Sequence, residues 1–362
     1  MAFRLAPLIG FPLLLAAGLK YMFGAHLDGG MDAAIKAVCI SPTSSSSQTT
    51  VSYANYPYTS IPSIDTHPSG PCPLIATFHL ALDARESGPK TFLAYLLGTG
   101  VPLILVPWVE VYRSGQKRDW RLLAYPTLWL LLTQAVTVGV TYQVYWLLLI
   151  LSRGTGETER RKVRMTRIEA EALAIGLFLG AGIPSAAMVL TPHPMVTWAW
   201  QFYPVYMTLL RSVYLQYRKP ARKDSNTIDK ERKQNNGLTT EEAEGRGVLK
   251  TIYLMTFALS AGVHLFVAWP FVATGNFDDL RTLLVPTLIS PSQTALDGSR
   301  LVHNFFKWDY ELGYAATVLG LMFSTRGKMA AAGIAAWCAL SAPFIGVGAA
   351  VTGVFAWRDL RE

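Results

Sequence analysis

The sequence predicts an all-α polytopic membrane protein, a bundle of about eight (seven to eight) transmembrane helices. Three observations carry that prediction. Of the 362 residues, 51% are hydrophobic and 15% charged, against about 25% charged in an average soluble domain. The mean hydropathy is +0.28. The apolar residues fall in blocks of about twenty, the length a helix needs to cross a bilayer. The 10 Trp, 16 Tyr and 16 Phe exclude a disordered chain, and 3 Cys are too few for a disulfide scaffold. The net charge of +8 reads as loop charge that sets orientation, not as a nucleic-acid footprint.

Residues 1–23 hold the first span, Leu5–Phe23; Arg4 before an apolar run also suits a secretory signal, but no clean small-x-small cleavage site follows, so a retained anchor is the favoured reading of the two. Residues 24–90 form a Ser/Thr/Pro-rich loop without periodicity, ending in Leu74–Leu82, which is apolar but too short to span and suits an interfacial or re-entrant helix. Residues 91–217 form a first helical half of four spans, at Thr91–Tyr112, Leu122–Leu151, Ile168–Leu190 and Val196–Leu215. Residues 218–247 are a polar linker around Asn235, Asn236 and Gly237. Residues 248–357 form a second half of three spans, at Val248–Val272, Val302–Phe323 and Met329–Trp357.

Basic residues mark cytoplasmic loops. Arg153–Arg167 holds six, Arg218–Gly247 eight and Arg326–Lys328 two. About thirty residues are too few for two full crossings, so Leu122–Leu151 is expected to be a single tilted helix. That leaves the Arg118 loop on the opposite side from the other three and places the N-terminus with the Asp278, Asp279 and Asp297 loop on the lumenal side. A hairpin at Leu122–Leu151 would instead unite all the basic loops. Cys39 and Cys72 share the loop after the first span. They stay reduced if that loop is cytoplasmic, as expected here, and can pair if it is lumenal. Cys338 is a small apolar packing residue.

A charge at the centre of a span costs roughly 2.5–3.5 kcal/mol, so acids at membrane depth need a reason. Two stretches stand out, Pro107-Trp108-Val109-Glu110-Val111-Tyr112-Arg113 and His303-Asn304-Phe305-Phe306-Lys307-Trp308-Asp309-Tyr310-Glu311. Asp309 lies roughly 10 Å into its span. Lys307 can snorkel outward, and His303 is near water. Glu311, about 200° around the helix from Asp309, cannot share its face. With single crossings throughout, Glu110 and Asp309 fall on one side of the membrane and line one cavity. Each also has a purely structural reading: Glu110 paired with Arg113 at i+3, Asp309 bonded to Lys307 or Asn304, Glu311 paired with another helix. Thr166-x-x-Glu169 has the form of a capping box, and His264 suits a hydrogen-bonding packing role.

Ligand-spaced His/Glu boxes, an intramembrane Asp-rich pair, a P-loop, a dinucleotide fingerprint and a Gly-x-Ser-x-Gly elbow are all absent from the sequence. What remains is proton chemistry or transport. Aromatic residues crowd the acids: Trp108, Tyr142, Trp146, Tyr203, Phe305, Trp308 and Tyr310 are candidates to line a substrate pocket, or else belong to an interfacial belt and core packing. Rings facing a carbocation stabilise it by about 0.5–2 kcal/mol each.

With its acid near the end of an early span and an Asp in a Trp-Asp context near the C-terminal spans, the chain resembles the fungal membrane-bound terpene cyclases of meroterpenoid biosynthesis. The likeness is closest to the longer cyclases of the ascochlorin and ascofuranone type. It rests on Phe78–Arg113 and His303–Tyr314 and extends over roughly residues 70–357. The N-terminal span, the Ser/Thr/Pro loop and the 218–247 insertion depart from the compact members. The resemblance implies a metal-independent cyclase without cofactor in a multi-pass endoplasmic reticulum membrane. A protonated carboxyl opens the terminal epoxide of a hydrophobic epoxyfarnesyl arene and directs cationic ring closure. Burial favours a carboxyl that holds its proton near neutral pH. On that reading Asp309 is the proton donor, Glu110 a second acid and Glu311 a reserve; metal ligands, nucleic acid and an obligate protein partner are not expected. Two other readings stay open: a proton-coupled or lipid-binding transporter, for which Gly180-Ala-Gly182-Ile-Pro184 and Pro204 would break helices, and a sterol-type membrane isomerase.

Overall fold

The computed structural model describes residues 2–39, 53, 56–65, 67, 70–113, 122–153, 163–218, 238–288, 297–325 and 327–360. Among the described residues every regular element is helical. The first span is α1 (Ala2–Gly18), a π-helical stretch at Leu19–Gly24 and α2 (Ala25–Asp28). Then come α3 (Met31–Cys39), α4 (Pro62–Asp65) and α5 (Pro71–Leu82), with α5 carrying prolines in its first turn, where a missing N–H costs nothing. The second span is α6 (Ser87–Thr99) and α7 (Val101–Arg113), broken at Gly100 just before Pro102. Next are α8 (Pro126–Val136) and α9 (Val138–Arg153), then α10 (Arg167–Ile175), a π-helical Gly176–Gly182 and α11 (Ile183–Leu190). The Thr166–Glu169 capping box opens α10 as expected. The fifth expected span is kinked, α12 (Pro194–Trp200) and α13 (Tyr203–Tyr217). The last elements are α14 (Thr240–Thr274), α15 (Phe277–Leu284), α16 (Gly298–Ser324), α17 (Lys328–Ile345) and α18 (Val347–Leu360). By length and composition five helices suit a membrane crossing: Ala6–Asp28, Ser87–Arg113, Arg167–Leu190, Thr240–Thr274 and Lys328–Ile345.

Two expected spans fold otherwise. Leu122–Leu151 is a re-entrant hairpin and not one tilted helix. Its arms α8 and α9 turn at Thr137 (φ 90°), and Trp129 on one arm meets Tyr145 on the other with ring centroids 5.1 Å apart. The α9 arm runs alongside α16 in the same direction, Gly139 beside Asp309, Gln143 bonded to Leu312 O at 3.0 Å and Trp146 beside Thr317. Thirty residues are indeed too few for two full crossings, but they suffice for two half-depth arms. Met329–Trp357 is likewise a hairpin, α17 and α18 turning at Gly346 (φ 82°), with Trp337 Nε1 donating to Ala350 O at 2.9 Å. The Cβ-free residue is required there, since an added Cβ would lie 2.8 Å from His264 Cβ as well as strain the left-handed backbone.

These hairpins reset the topology. α1 packs antiparallel to α16, with Phe11 against Phe323 and Tyr21 stacked on Trp308. The helix ends that flank the basic stretches, at 113 and 122, 153 and 163, 218 and 238, and 325 and 327, therefore share one end of the bundle with the N-terminal end of α1. This basic end opposes the acidic end, where Asp278 and Asp279 begin α15 and Asp297 caps α16. The N-terminus thus lies opposite the acidic loop, not beside it as expected. Cys39 and Cys72 are joined in a disulfide at the acidic end, which overturns the expectation of reduced thiols. Residues 219–237 of the expected linker lie outside the described residues, and Thr240–Gly247 already form the first two turns of α14.

Candidate active site

At the tip of the α8–α9 hairpin lies a cavity of about 290 Å3 that reaches Asp309 on α16. Gly139, in the first turn of α9, donates its backbone N–H to Asp309 Oδ1 at 2.6 Å. The approach is so close that a Cβ on Gly139 would stand 3.0 Å from both Asp309 O and Oδ1. The unpaired N–H groups at a helix start favour negative charge, so α9 is aimed at the carboxyl. Thr137, two residues earlier, holds a positive φ that β-branched residues rarely adopt. The remaining wall is largely apolar and aromatic, with Phe23, Phe78, Trp200 and Phe306 joining the expected Tyr142, Tyr203 and Phe305.

Asp309 is the one carboxyl among the described residues that line this cavity. Glu110 is elsewhere. It lies at the basic end of α7, 1% exposed, bonded to Arg358 at 2.5 Å and within 3.4 Å of Arg113. Arg113 pairs in turn with Asp359, which accepts from Arg358 Nε at 2.9 Å and from the Tyr253 hydroxyl at 2.5 Å. Two acids and two guanidiniums thus neutralise one another inside the protein, the condition under which buried charge is tolerated. The expected single cavity for Glu110 and Asp309 fails because the α8–α9 segment turns back. Glu311 is exposed on the opposite face of α16, as its angular offset requires.

The other expected pocket residues divide. Trp108 lies under Arg211, 5.3 Å from guanidinium to ring. Trp146 packs beneath α16 against Gly320 and bonds Thr317. Trp308 donates to Thr287 O at 3.2 Å on the outer side. Tyr310 belongs to a buried cluster with Tyr95, Tyr314 and Thr99, and His264 closes it through Tyr95 at 2.9 Å. Lys307 does not snorkel: it is 4% exposed and donates to Thr282 O at 2.9 Å, at the C-terminal turn of α15. His303 is also buried, against Leu283 O at 3.0 Å. The carbonyl end of a helix suits both.

The helix α5 closes the cavity toward the acidic end through Leu74, Thr77 and Phe78. The disulfide holds its first turn to α3. At its last turn His79, fully buried, bonds Thr197 of α12 at 3.0 Å and Asp83 at 2.8 Å, and Tyr53 donates to Asp83 at 2.6 Å. Burial raises the Asp83 pKa, but the bonds from His79 and Tyr53 outweigh it and hold the carboxyl below its usual range. Among the described residues no group of three His, Cys, Asp or Glu is placed to hold a metal ion.

Phe78 lay within the stretch that carries the resemblance, and Trp200 and Phe306 within aromatic-rich spans, but only the fold tells which rings face inward. The hairpin-tip groups Thr133, Gln134 and Thr137 had no sequence signal, because the turn itself had none.

A curated relative, the terpene cyclase ascI of Acremonium egyptiacum, is 25% identical over 260 residues, covering 64% of this chain. The chain spans 63% of that relative's length. No solved structure matches. The expected resemblance to fungal membrane-bound terpene cyclases agrees with this match and with a family model, the CtvD domain, that covers residues 8–360. The chain belongs to the CtvD family.

Proposed function

We propose that this protein is a membrane-bound terpene cyclase that opens the terminal epoxide of a prenylated arene and directs its ring closure. The observation that carries the reading is Asp309, the one carboxyl among the described residues lining an aromatic cavity, with the re-entrant hairpin aiming a helix N-terminus at it. Asp309 gives its proton to the epoxide oxygen as the bond to the more substituted carbon breaks. An alkene π pair closes on that carbon, and the cation moves along the chain. Tyr142, Tyr203, Phe78 and Phe305 face it and stabilise it at about 0.5–2 kcal/mol per ring. Loss of a proton from the neighbouring carbon, or capture by a substrate hydroxyl, ends the sequence. The carboxylate left on Asp309 is held by the Gly139 N–H and the positive end of α9, so charge forms where donors already point. No step in this reading calls on a metal or cofactor.

The chain is placed in the endoplasmic reticulum membrane with several passes, its basic end cytoplasmic by the positive-inside rule. The disulfide supports the same orientation, since the acidic end is then lumenal and oxidising. Microsomes carrying Asp309→Asn, given an epoxyfarnesyl arene, should lose product by about 100- to 10,000-fold, the worth of a general acid, with unchanged membrane expression. Undiminished conversion would remove Asp309 from the role.

A further inference from the structure

The rim of the Asp309 cavity carries polar groups that the proposed reaction leaves unused. Asp309, Phe305 and Phe306 are buried, whereas Gln134 and Ser185 are half-buried and Ala135 is exposed. The cavity therefore opens between the end of α8 and α11. Ile183 and Leu190 of α11 are 59% and 80% exposed and Val136 of α8 is 41% exposed, so this side of the bundle faces lipid.

Three helices bring polar side chains to the opening. Ser185 of α11 accepts from Trp200 Nε1 at 2.9 Å, and its own proton has no acceptor among the described residues. The Tyr203 hydroxyl of α13 bonds the Thr133 and Gln134 side chains of α8. The Thr133 hydroxyl donates to Leu130 O at 2.7 Å, while Gln134 makes no further side-chain bond among the described residues. Trp200 and Tyr203 lie side by side, ring centroids 5.7 Å apart, which joins the two groups into one patch. The π-helical Gly176–Gly182 prepares this arrangement. Gly176 and Gly180 press on α13, where an added Cβ would stand 2.9 and 2.7 Å from the Met207 backbone. The wider turn re-aims the helix that follows, a device frequent at functional sites. No water in the bilayer core can take the remaining donors, so they call for a polar ligand.

The cavity volume bears on where that ligand sits. About 290 Å3 is the lower edge of the roughly 300–1,000 Å3 that encloses a drug-sized molecule, too little for a sesquiterpene tail and an aromatic ring together. On the cyclase reading, we propose that Ser185 and Gln134 form the subsite for the substrate's ring and bind a phenolic hydroxyl at the lipid-facing mouth, while the epoxide end of the tail reaches Asp309. Ser185 donates to the phenol oxygen, and the Gln134 carbonyl accepts the phenol proton. The substrate enters sideways from the bilayer, tail first.

The purified full-length protein is titrated with a farnesyl phenol and a farnesyl benzene, both lacking the epoxide and so unable to react, with thermal melting as the readout. The matching epoxides are turned over in microsomes. The wild type should bind the phenol about tenfold more tightly than the benzene, the worth of the added hydrogen bonds. Ser185→Ala and Gln134→Leu should each reduce that preference and raise KM for the epoxy phenol, leaving kcat and benzene binding unchanged. Equal affinity of the wild type for the two ligands, or an undiminished preference in both variants, would overturn the subsite. Asp309→Asn tests the reading beneath it separately: full turnover by that variant removes the cyclase, while the binding preference, which needs no reaction, still decides the subsite.

Discussion

Gly139 and Asp309 meet across two helices at a distance that leaves no room for a side chain: the amide of one donates to the carboxyl of the other at 2.6 Å, and any Cβ on Gly139 would touch that carboxyl. Gly139→Ala should therefore displace the Asp309 carboxyl by a few tenths of an ångström while the bundle still assembles. On the proposed reading, turnover in microsomes should fall about 100-fold, the scale of a mispositioned catalytic group, with normal expression. Unchanged turnover would separate the hairpin from the chemistry.

Thr137 holds a backbone conformation that glycine adopts freely and threonine does not. Strain of this kind costs about 1–3 kcal/mol. Thr137→Gly should raise the melting temperature of the purified protein. Because the tip then gains freedom beside Asp309, it should lower turnover at the same time.

Glu110 offers a test between catalysis and architecture. Glu110→Gln removes one of the two carboxylates that neutralise Arg113 and Arg358, leaving Asp359 to both, and should destabilise by about 3–5 kcal/mol, visible as lost expression or a lower Tm. Replacing both partners by apolar residues, Glu110→Leu with Arg358→Leu, should recover much of that stability. Recovered turnover in the double variant assigns Glu110 a structural role; a folded but inactive double variant assigns it to the reaction.

The pH dependence of α5 follows from Asp83, whose folded pKa lies below its unfolded value. The stabilisation is complete above the unfolded value of about 3.9 and is lost as pH falls through the lower folded value. Tm should therefore show no pH dependence from this group between pH 5 and 8, where its stabilisation is fully present, and should drop below about pH 4. Asp83→Asn should lower Tm at neutral pH and flatten the acid limb.

The cysteines give a count. Maleimide labelling of the denatured, unreduced protein should modify one of the three cysteines, Cys338, and all three after reduction. Three labelled without reductant would remove the disulfide and with it one support for a lumenal acidic end.

The sequence made the helical class, the membrane setting and the burial of Asp309 legible, because apolar run length and the cost of a buried charge are written into composition. It hid the two hairpins. A run of thirty apolar residues reads alike as one tilted helix or two half-depth arms, and the deciding residue, Thr137, is not one that marks a turn. That single ambiguity inverted the N-terminus and put Glu110 on the wrong side. Lys307 and His303 were misplaced for a related reason: the carbonyls that receive them belong to the last turn of α15, a partner set by tertiary packing.

The ion cluster at the basic end also has a consequence for the order of synthesis. Glu110 and Arg358 are separated by 248 residues in the chain. At the usual 5–20 residues per second, Glu110 waits roughly 12–50 s after its own translation before Arg358 emerges. Through that interval α7 carries Glu110 and Arg113 without Arg358 and Asp359, the partners that α18 brings. The last turn of α18 thus completes the ion cluster at the end of the second span, and that cluster cannot form before the end of the chain is made.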